Sequence, residues 1–420
     1  MEQQEKAILV GVHKQLDHHF EYEMEELQNL AEAIGIETAG IVTQNVERIH
    51  AGTYVGTGKV DEIKGLFEAL DADLVIFNDE LSPSQIRNLE AALECEVMDR
   101  TMLILAIFSR RAKTREAKMQ VELAQHQYML PRLVGLRASL SRQGGGTGGG
   151  FKNRGAGETK LELDRRKIEE QISRIKRELE TVKGQRDTQR KRRQKQGLPV
   201  VSLVGYTNAG KSTIMNQLMR ETGREEDKQV FEKDMLFATL ETSVRQVKLE
   251  DQKEFLLTDT VGFVSKLPTH LIKAFRSTLE EARDADLLLH VVDVSNEEYR
   301  YMMDITSKTL EQIGVEDVPT LYVFNKSDLA GREYPTYKDD QLWISAKEGV
   351  GISELVDQIK QRIFTDYQTV NLVIPFDQGD IVSYLNANAN VLETEYEETG
   401  TRLKVEVSSK DAARLAQFQS

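Results

Sequence analysis

The chain has 420 residues, of which 30% are charged and 40% hydrophobic. That balance suits a water-soluble globular protein, and the length favours two to four domains over one core. A net charge of −14 argues against indiscriminate coating of nucleic acid. The single cysteine, Cys95, excludes an intrachain disulfide and fits a reducing cytoplasm. The polar first residues do not resemble a signal peptide, and the longest apolar runs, 102–108 and 287–292, are too short to cross a bilayer, so no membrane insertion is expected. His18 and His19 are adjacent and would point different ways on a helix, which favours a solvated surface over a zinc site.

Up to about residue 100, apolar runs alternate with helical patterns. Strands are predicted over 7–12, 39–42 and 74–77, and helices over 23–34, 60–70 and 83–93. Ser82 is placed to cap the last of these, with Pro83 in its first turn. Strands alternating with helices point to a small parallel α/β domain over 1–100. Within it, Gly56-Thr57-Gly58-Lys59 precedes a helix and has the makings of an anion site, although a plain turn and cap explains it more simply.

Residues 101–197 read as a helical hairpin. One pattern runs over about 101–128 and stops near Pro131; a second runs over about 159–196. In the second, Leu161, Ile168, Ile172, Ile175, Leu179 and Val182 fall at steps of seven, four and three, the seam of a coiled coil. The intervening 141–158 loop is rich in glycine and carries Arg142, Lys152 and Arg154. Further along lie Arg190, Lys191, Arg192 and Arg193. A basic, glycine-rich tip can approach a phosphate backbone closely and order on contact. An idle linker with a solvated basic face explains the same residues, and the sequence leaves both open.

The chemistry begins in the next stretch, a domain over 198–368. A strand over 200–204 runs into Gly205-Tyr206-Thr207-Asn208-Ala209-Gly210-Lys211-Ser212, and a helix starts at Thr213. Strand, G-x-x-x-x-G-K-S loop and helix form the context in which backbone N–H groups wrap a β-phosphate. Lys211 would then bridge the β- and γ-phosphates, and Ser212 would ligate Mg²⁺. Asn325-Lys326-Ser327-Asp328 follows a strand over 320–324. The Asp328 carboxylate can accept from N1–H and the 2-amino group of guanine, a donor pair that adenine lacks. Lys326 would lie over the base. A backbone N–H of Ser345-Ala346-Lys347 would meet the guanine O6. Asp259, ending another strand, would hold a water on Mg²⁺, and the Gly262 N–H would meet the γ-phosphate. Thr239 is the candidate Mg²⁺-sensing hydroxyl, with Thr242 and Thr207 as alternatives.

The segments "GYTNAGKST", "DMLFATLE", "DTVGFV" and "NKSD", together with "DELSPSQIRNLE", the "SRQGGG" loop and "GETKLELDRR" upstream, resemble the HflX family of translational GTPases over nearly the whole chain. The resemblance implies a multidomain α/β protein: an N-terminal α/β domain, a helical arm with a glycine-rich tip, a P-loop GTPase domain and a small C-terminal domain. It implies a cytoplasmic, monomeric enzyme that hydrolyses GTP to GDP, uses Mg²⁺, and binds the large ribosomal subunit, through rRNA and ribosomal proteins, to dissociate or recycle stalled ribosomes. Ala156 stands where the family usually has proline.

Phe263 occupies the position where many such enzymes carry the amide that aligns the attacking water. It cannot form a side-chain hydrogen bond. The family resemblance includes this hydrophobic substitution, which implies that water is placed by backbone groups, by the segment around Thr239 or by a partner. Packing of Phe263 beneath the sheet is compatible with that. Asn208 makes K⁺ beside the phosphates a further cation candidate. The last stretch, 369–420, reads as a small α+β appendage with strands over 372–375 and 402–407 and a helix over 379–385.

Overall fold

The computed structural model describes residues 4–15, 17–143, 151–221, 237, 243–268, 271 and 281–420, with side chains left undescribed over 134–143, 151–161, 185–187 and 189–196. The first sheet contains β1 (Lys6–Lys14), β2 (Glu37–Val46), β3 (Leu74–Phe77) and β4 (Glu96–Asp99), all parallel, in the order β2-β1-β3-β4. Helices α1 (Phe20–Glu32), α2 (Thr57–Ala69) and α3 (Pro83–Leu93) connect the strands. α3 begins where the sequence expects. The Ser82 hydroxyl accepts from the Gln85 amide while the Gln85 side chain accepts from the Ser82 amide, a reciprocal cap that satisfies two otherwise orphaned donors. β4 was not expected: a four-residue strand is too short for its alternation to stand out. The Gly56–Lys59 run opens α2 as a turn and cap, with the Gly56 amide donating to Gln44 Oε1 at 3.0 Å.

The helical region differs from expectation in its breaks. The single pattern expected over 101–128 is two helices, α4 (Arg100–Arg111) and α5 (Arg115–Gln143). Asp99 caps α4 by accepting from the Met102 amide at 2.9 Å, and the backbone turns extended at Ala112. Pro131 does not end α5 but lies inside it; its ring removes the N–H that would otherwise bond the Gln127 carbonyl. α6 spans Phe151–Gln196, so the later part of the expected 141–158 loop is helical backbone. α5 and α6 pack through Met119, Leu123, Ile172 and Ile175, with Ile168, Leu179 and Val182 alongside. The side chains of Arg142, Lys152, Arg154 and Arg190 through Arg193 lie outside the described residues, as does Thr239.

A seven-stranded sheet follows, in the order β10-β11-β9-β8-β5-β7-β6. Its strands are β5 (Val200–Gly205), β6 (Ser243–Lys248), β7 (Glu254–Asp259), β8 (Leu287–Asp293), β9 (Thr320–Asn325), β10 (Thr336–Lys338) and β11 (Gln341–Trp343), and α7 (Lys211–Glu221) packs on one face. The central strands read as continuous apolar runs because both faces are covered. A three-stranded antiparallel sheet, β12 (Tyr367–Ile374), β14 (Gly400–Ser408) and β13 (Asn390–Glu397), closes the chain. β13 was missed because its side chains are mostly exposed. This sheet is fastened to the β6–β7 hairpin by Lys253, whose ammonium lies 2.8 Å from Glu406 Oε1 and over the Tyr367 ring at 5.0 Å. Among the described residues, no helix is long and apolar enough to cross a membrane.

Candidate functional site

The loop after β5 and the start of α7 stand at the carboxyl end of the seven-stranded sheet, where open α/β sheets place their ligands. Gly205 through Thr213 therefore share one place with Asp259 at the end of β7, Asn325 through Asp328 after β9, and Ser345 through Lys347 after β11. Asn325 locks these loops together. Its Nδ2 donates to the Ala209 carbonyl at 2.9 Å and its Oδ1 accepts from the Ala346 amide at 2.9 Å. Gln217 on α7 donates to the Ala346 carbonyl at 2.8 Å. Gly210 must be glycine: its φ is 93°, and a Cβ there would come within 2.2 Å of Asn325 Nδ2. Of the amides in the 345–347 run, that of Ser345 donates to Val350 and that of Ala346 to Asn325, which leaves Lys347 N–H as the candidate donor to a base.

Lys326 takes a left-handed conformation, φ 63°, and its ammonium sits 2.7 Å from Asp293 Oδ2. Sequence reasoning missed Asp293. The only signal for it was a carboxylate ending a parallel strand beside β9. Among the described residues, Asp328 Oδ1 and Thr207 Oγ1 at the site are buried without a hydrogen-bond partner. An orphaned buried carboxylate oxygen is costly, and a guanine presenting two donors is the chemistry that would satisfy it.

At the phosphate end, Lys211 is buried and donates to the Gly205 and Tyr206 carbonyls at 3.1 and 2.8 Å. Burial pushes its ammonium down to about 8, against the upward pull of Asp259. The Ser212 hydroxyl donates to Asp259 Oδ2 at 2.8 Å. A hydroxyl and a carboxylate this close are oxygen donors that suit Mg²⁺. His290 on β8 is buried and pushed down to about 4 by burial and by Lys211, so it stays neutral. Asn208 is exposed at φ 61°.

Phe263 is a core residue. It is 2% exposed and packs with Val204, Tyr206, Ala282, Leu288 and Met302. Its backbone runs along the phosphate loop, with the Phe263 amide donating to the Gly205 carbonyl at 3.2 Å and the Thr207 amide donating to the Phe263 carbonyl at 2.8 Å. Gly262 lies so close that a Cβ would meet Thr207 Cα at 2.8 Å. His19, expected on a solvated surface, is 35% exposed and also stacks on Tyr301 at 3.8 Å and lies 2.7 Å from Glu298.

Four family descriptions match in series: GTP-binding GTPase N-terminal over 21–109, GTP-binding GTPase middle region over 111–193, 50S ribosome-binding GTPase over 200–326, and HflX C-terminal domain over 333–418. The chain is 43% identical to a protein of Caldanaerobacter subterraneus named GTPase HflX, over 99% of this chain and 94% of that one. It is 38% identical to the protein of the same name from Escherichia coli, over 98% and 95%. Among solved structures, a GTP-binding protein from Sulfolobus solfataricus in complex with GDP aligns with 86% of this chain and 98% of its own, at 24% identity and a TM-score of 0.44.

Proposed function

This chain belongs to the HflX family of GTPases, and on that premise we propose that it binds the large ribosomal subunit and uses GTP to dissociate or recycle stalled ribosomes. It is a GTP-hydrolysing enzyme with a ribosome-binding GTPase domain. The observation that carries the ribosomal reading is the match of 200–326 to a 50S ribosome-binding GTPase, set within near full-length relatives. In this reading Asp328 takes the guanine N1–H and 2-amino group, and Lys326, held by Asp293, covers the base. The amides of the 205–212 loop and Lys211 hold the phosphates, and the Gly262 N–H meets the γ-phosphate. Mg²⁺ would be held by Ser212 and Asp259, with Thr239 as the sensing hydroxyl, and would offset negative charge on the phosphates. Asn208 is the residue beside which a K⁺ ion would add to that effect, and turnover in K⁺ and Na⁺ at matched ionic strength tests it.

Water alignment does not come from Phe263, which is buried. The ribosome, by ordering the segments around Thr239 and Gly262, is the proposed source, so turnover should rise when large subunits are added. The basic residues Arg142, Lys152, Arg154 and Arg190 through Arg193 are the proposed rRNA contacts, and a monomer in the cytoplasm is the proposed working form. Sedimentation with separated ribosomal subunits tests the proposal: co-sedimentation with the large subunit, stronger with a non-hydrolysable GTP analogue than with GDP, is expected. Absence of co-sedimentation in both nucleotide states would overturn it.

A further inference from the structure

The segments flanking the nucleotide site are built into the core of the first α/β unit. Phe237, from the run that also holds Thr239, meets Phe108 edge-on at 4.6 Å. Val261, Val264 and Leu271 belong to the same apolar cluster as Leu27, Leu30 and Leu103. Beneath this apolar contact lies a polar one. Arg100 is 1% exposed and carries its guanidinium to Asn78 Oδ1 at 2.7 Å, to Ser265 Oγ at 2.7 Å, to the Ser265 carbonyl at 3.2 Å and to Glu26. Glu26 in turn accepts from the Ser265 hydroxyl and, at 2.5 Å, from the Tyr206 hydroxyl. Lys266 reaches Glu23 at 2.6 Å and Asp79 at 2.9 Å.

The order β2-β1-β3-β4 reverses between β1 and β3, and open parallel sheets receive ligands outside the carboxyl ends of strands at such a point. Asn78 and Asp79 follow β3, and Glu23 and Glu26 lie on α1, which follows β1. The place a free-standing sheet would offer a ligand is thus taken by Ser265 and Lys266. Both follow Gly262 by only three or four residues, and Tyr206 belongs to the phosphate loop itself.

We propose that Glu26 and Arg100 are positioning residues for the nucleotide site: they hold the segment after Gly262 against the phosphate loop and thereby favour GDP over GTP until the hold is released. The inference rests on the reading of Gly262 as the γ-phosphate contact. To follow a γ-phosphate, the Gly262 amide must carry Phe263 with it. Phe263 is tied to Gly205 and Thr207, and Ser265 is tied to Glu26 and Arg100. The γ-phosphate and the first α/β unit therefore compete for one short segment, and a ligand shifts such an equilibrium only by its differential affinity for the two arrangements. Linkage makes the effect reciprocal: a partner that draws the first unit away strengthens GTP binding by the same factor that GTP strengthens the partner's.

Glu26 and Arg100 are unsuitable first targets, because removing one member of a buried pair leaves an uncompensated charge. Ser265→Ala removes one tie, and Lys266→Met made together with Glu23→Gln removes another without stranding a buried carboxylate, both outside the nucleotide contacts. Fluorescent GDP and a non-hydrolysable GTP analogue are titrated against the full chain. Each variant is expected to raise the ratio of analogue affinity to GDP affinity by about tenfold, the lower end of the scale of one charge-assisted hydrogen bond, with GDP affinity held. Ser265→Thr, which keeps the hydroxyl, is expected to restore the parent ratio. A ratio unmoved in both variants, or two affinities falling together, overturns the proposal; if one variant does not fold, the other decides. Asp328→Asn in the same assay separates the two levels. If it leaves GDP binding intact, the site assignment itself fails, whereas a large loss there with an unmoved ratio in the Ser265 and Lys266 variants sinks only the hold.

Discussion

At the base end of the cleft, Asn325 ties the phosphate loop to the 345–347 run, and Asp293 ties down Lys326, all within one seven-stranded sheet. At the phosphate end, the residues after Gly262 are held from outside that sheet, by Glu26, Arg100 and Glu23. One end is fixed by its own loops and the other by a separate unit of the chain. A pocket that only has to recognise guanine gains from rigidity, since a preformed carboxylate wastes none of the base's hydrogen bonds. A segment that has to report one phosphate more or less needs two arrangements of similar free energy. Ties supplied by a separate unit give such a balance a place to be tuned.

The rigid end should break most sharply. Asp328→Asn replaces one acceptor oxygen with a donor facing the guanine N1–H and 2-amino group. Affinity for GDP and GTP is expected to fall by about 100-fold or more, as at sites whose buried polar partner is lost. Both nucleotides should suffer equally, because the change lies at the end they share. Titration with fluorescent analogues checks both points, and unchanged affinity would remove the guanine assignment.

The base end was legible because its chemistry sits in short runs of fixed order: the 325–328 run and the 345–347 run could each be placed after a strand from local pattern alone, as could the 205–212 loop at the phosphate end. The phosphate end was legible only up to Gly262 and Phe263. Ser265 lies 239 positions from Glu26 and 165 from Arg100, and no local signal marks such a pair. A glutamate on an amphipathic helix reads as a solvated charge, yet Glu26 is 3% exposed. The helix breaks near Ala112 and the continuation through Pro131 were hidden for a related reason. Periodicity reports which face is apolar, and it is weak on where a neighbour lets the backbone turn.

Proton linkage offers a middle-sized effect at the phosphate end. Lys211 is pushed down to about 8 by burial, below the ordinary lysine value of roughly 10.4. A phosphate beside it favours the ammonium, so nucleotide binding should take up protons once the pH passes 8. Affinity for GDP is therefore expected to weaken by about tenfold between pH 7 and pH 9. The fold itself responds with the opposite sign. Between about 8 and 10.4 the unfolded chain binds the Lys211 proton and the folded chain does not, so this group's contribution to stability rises with pH in that window. Calorimetry of GDP binding in two buffers of different ionisation enthalpy measures the uptake directly. An absence of uptake at pH 9 would mean that Lys211 is not the phosphate's partner.

The smallest effect is expected at Phe263, and it sharpens the comparison most. If slow hydrolysis came only from a missing amide, Phe263→Gln would supply one and raise basal turnover. The environment argues otherwise. The side chain is 2% exposed among Val204, Tyr206, Leu288 and Met302, and its backbone is bonded to Gly205 and Thr207. A glutamine there must either stay buried with its amide unpaired, at about 1–3 kcal/mol, or leave the cluster and break the turn after Asp259. Neither course delivers an amide to the attacking water without moving the segment that Glu26 and Arg100 hold. Basal single-turnover hydrolysis should therefore stay within about threefold of the parent, under roughly 1 kcal/mol in the barrier. Stimulation by large ribosomal subunits should fall, because the misplaced segment can no longer be ordered correctly by the partner. A basal rate raised about tenfold with stimulation intact would show that the phosphate end lacks only an amide. In that case the contrast between a rigid base end and an externally held phosphate end would have no bearing on catalysis.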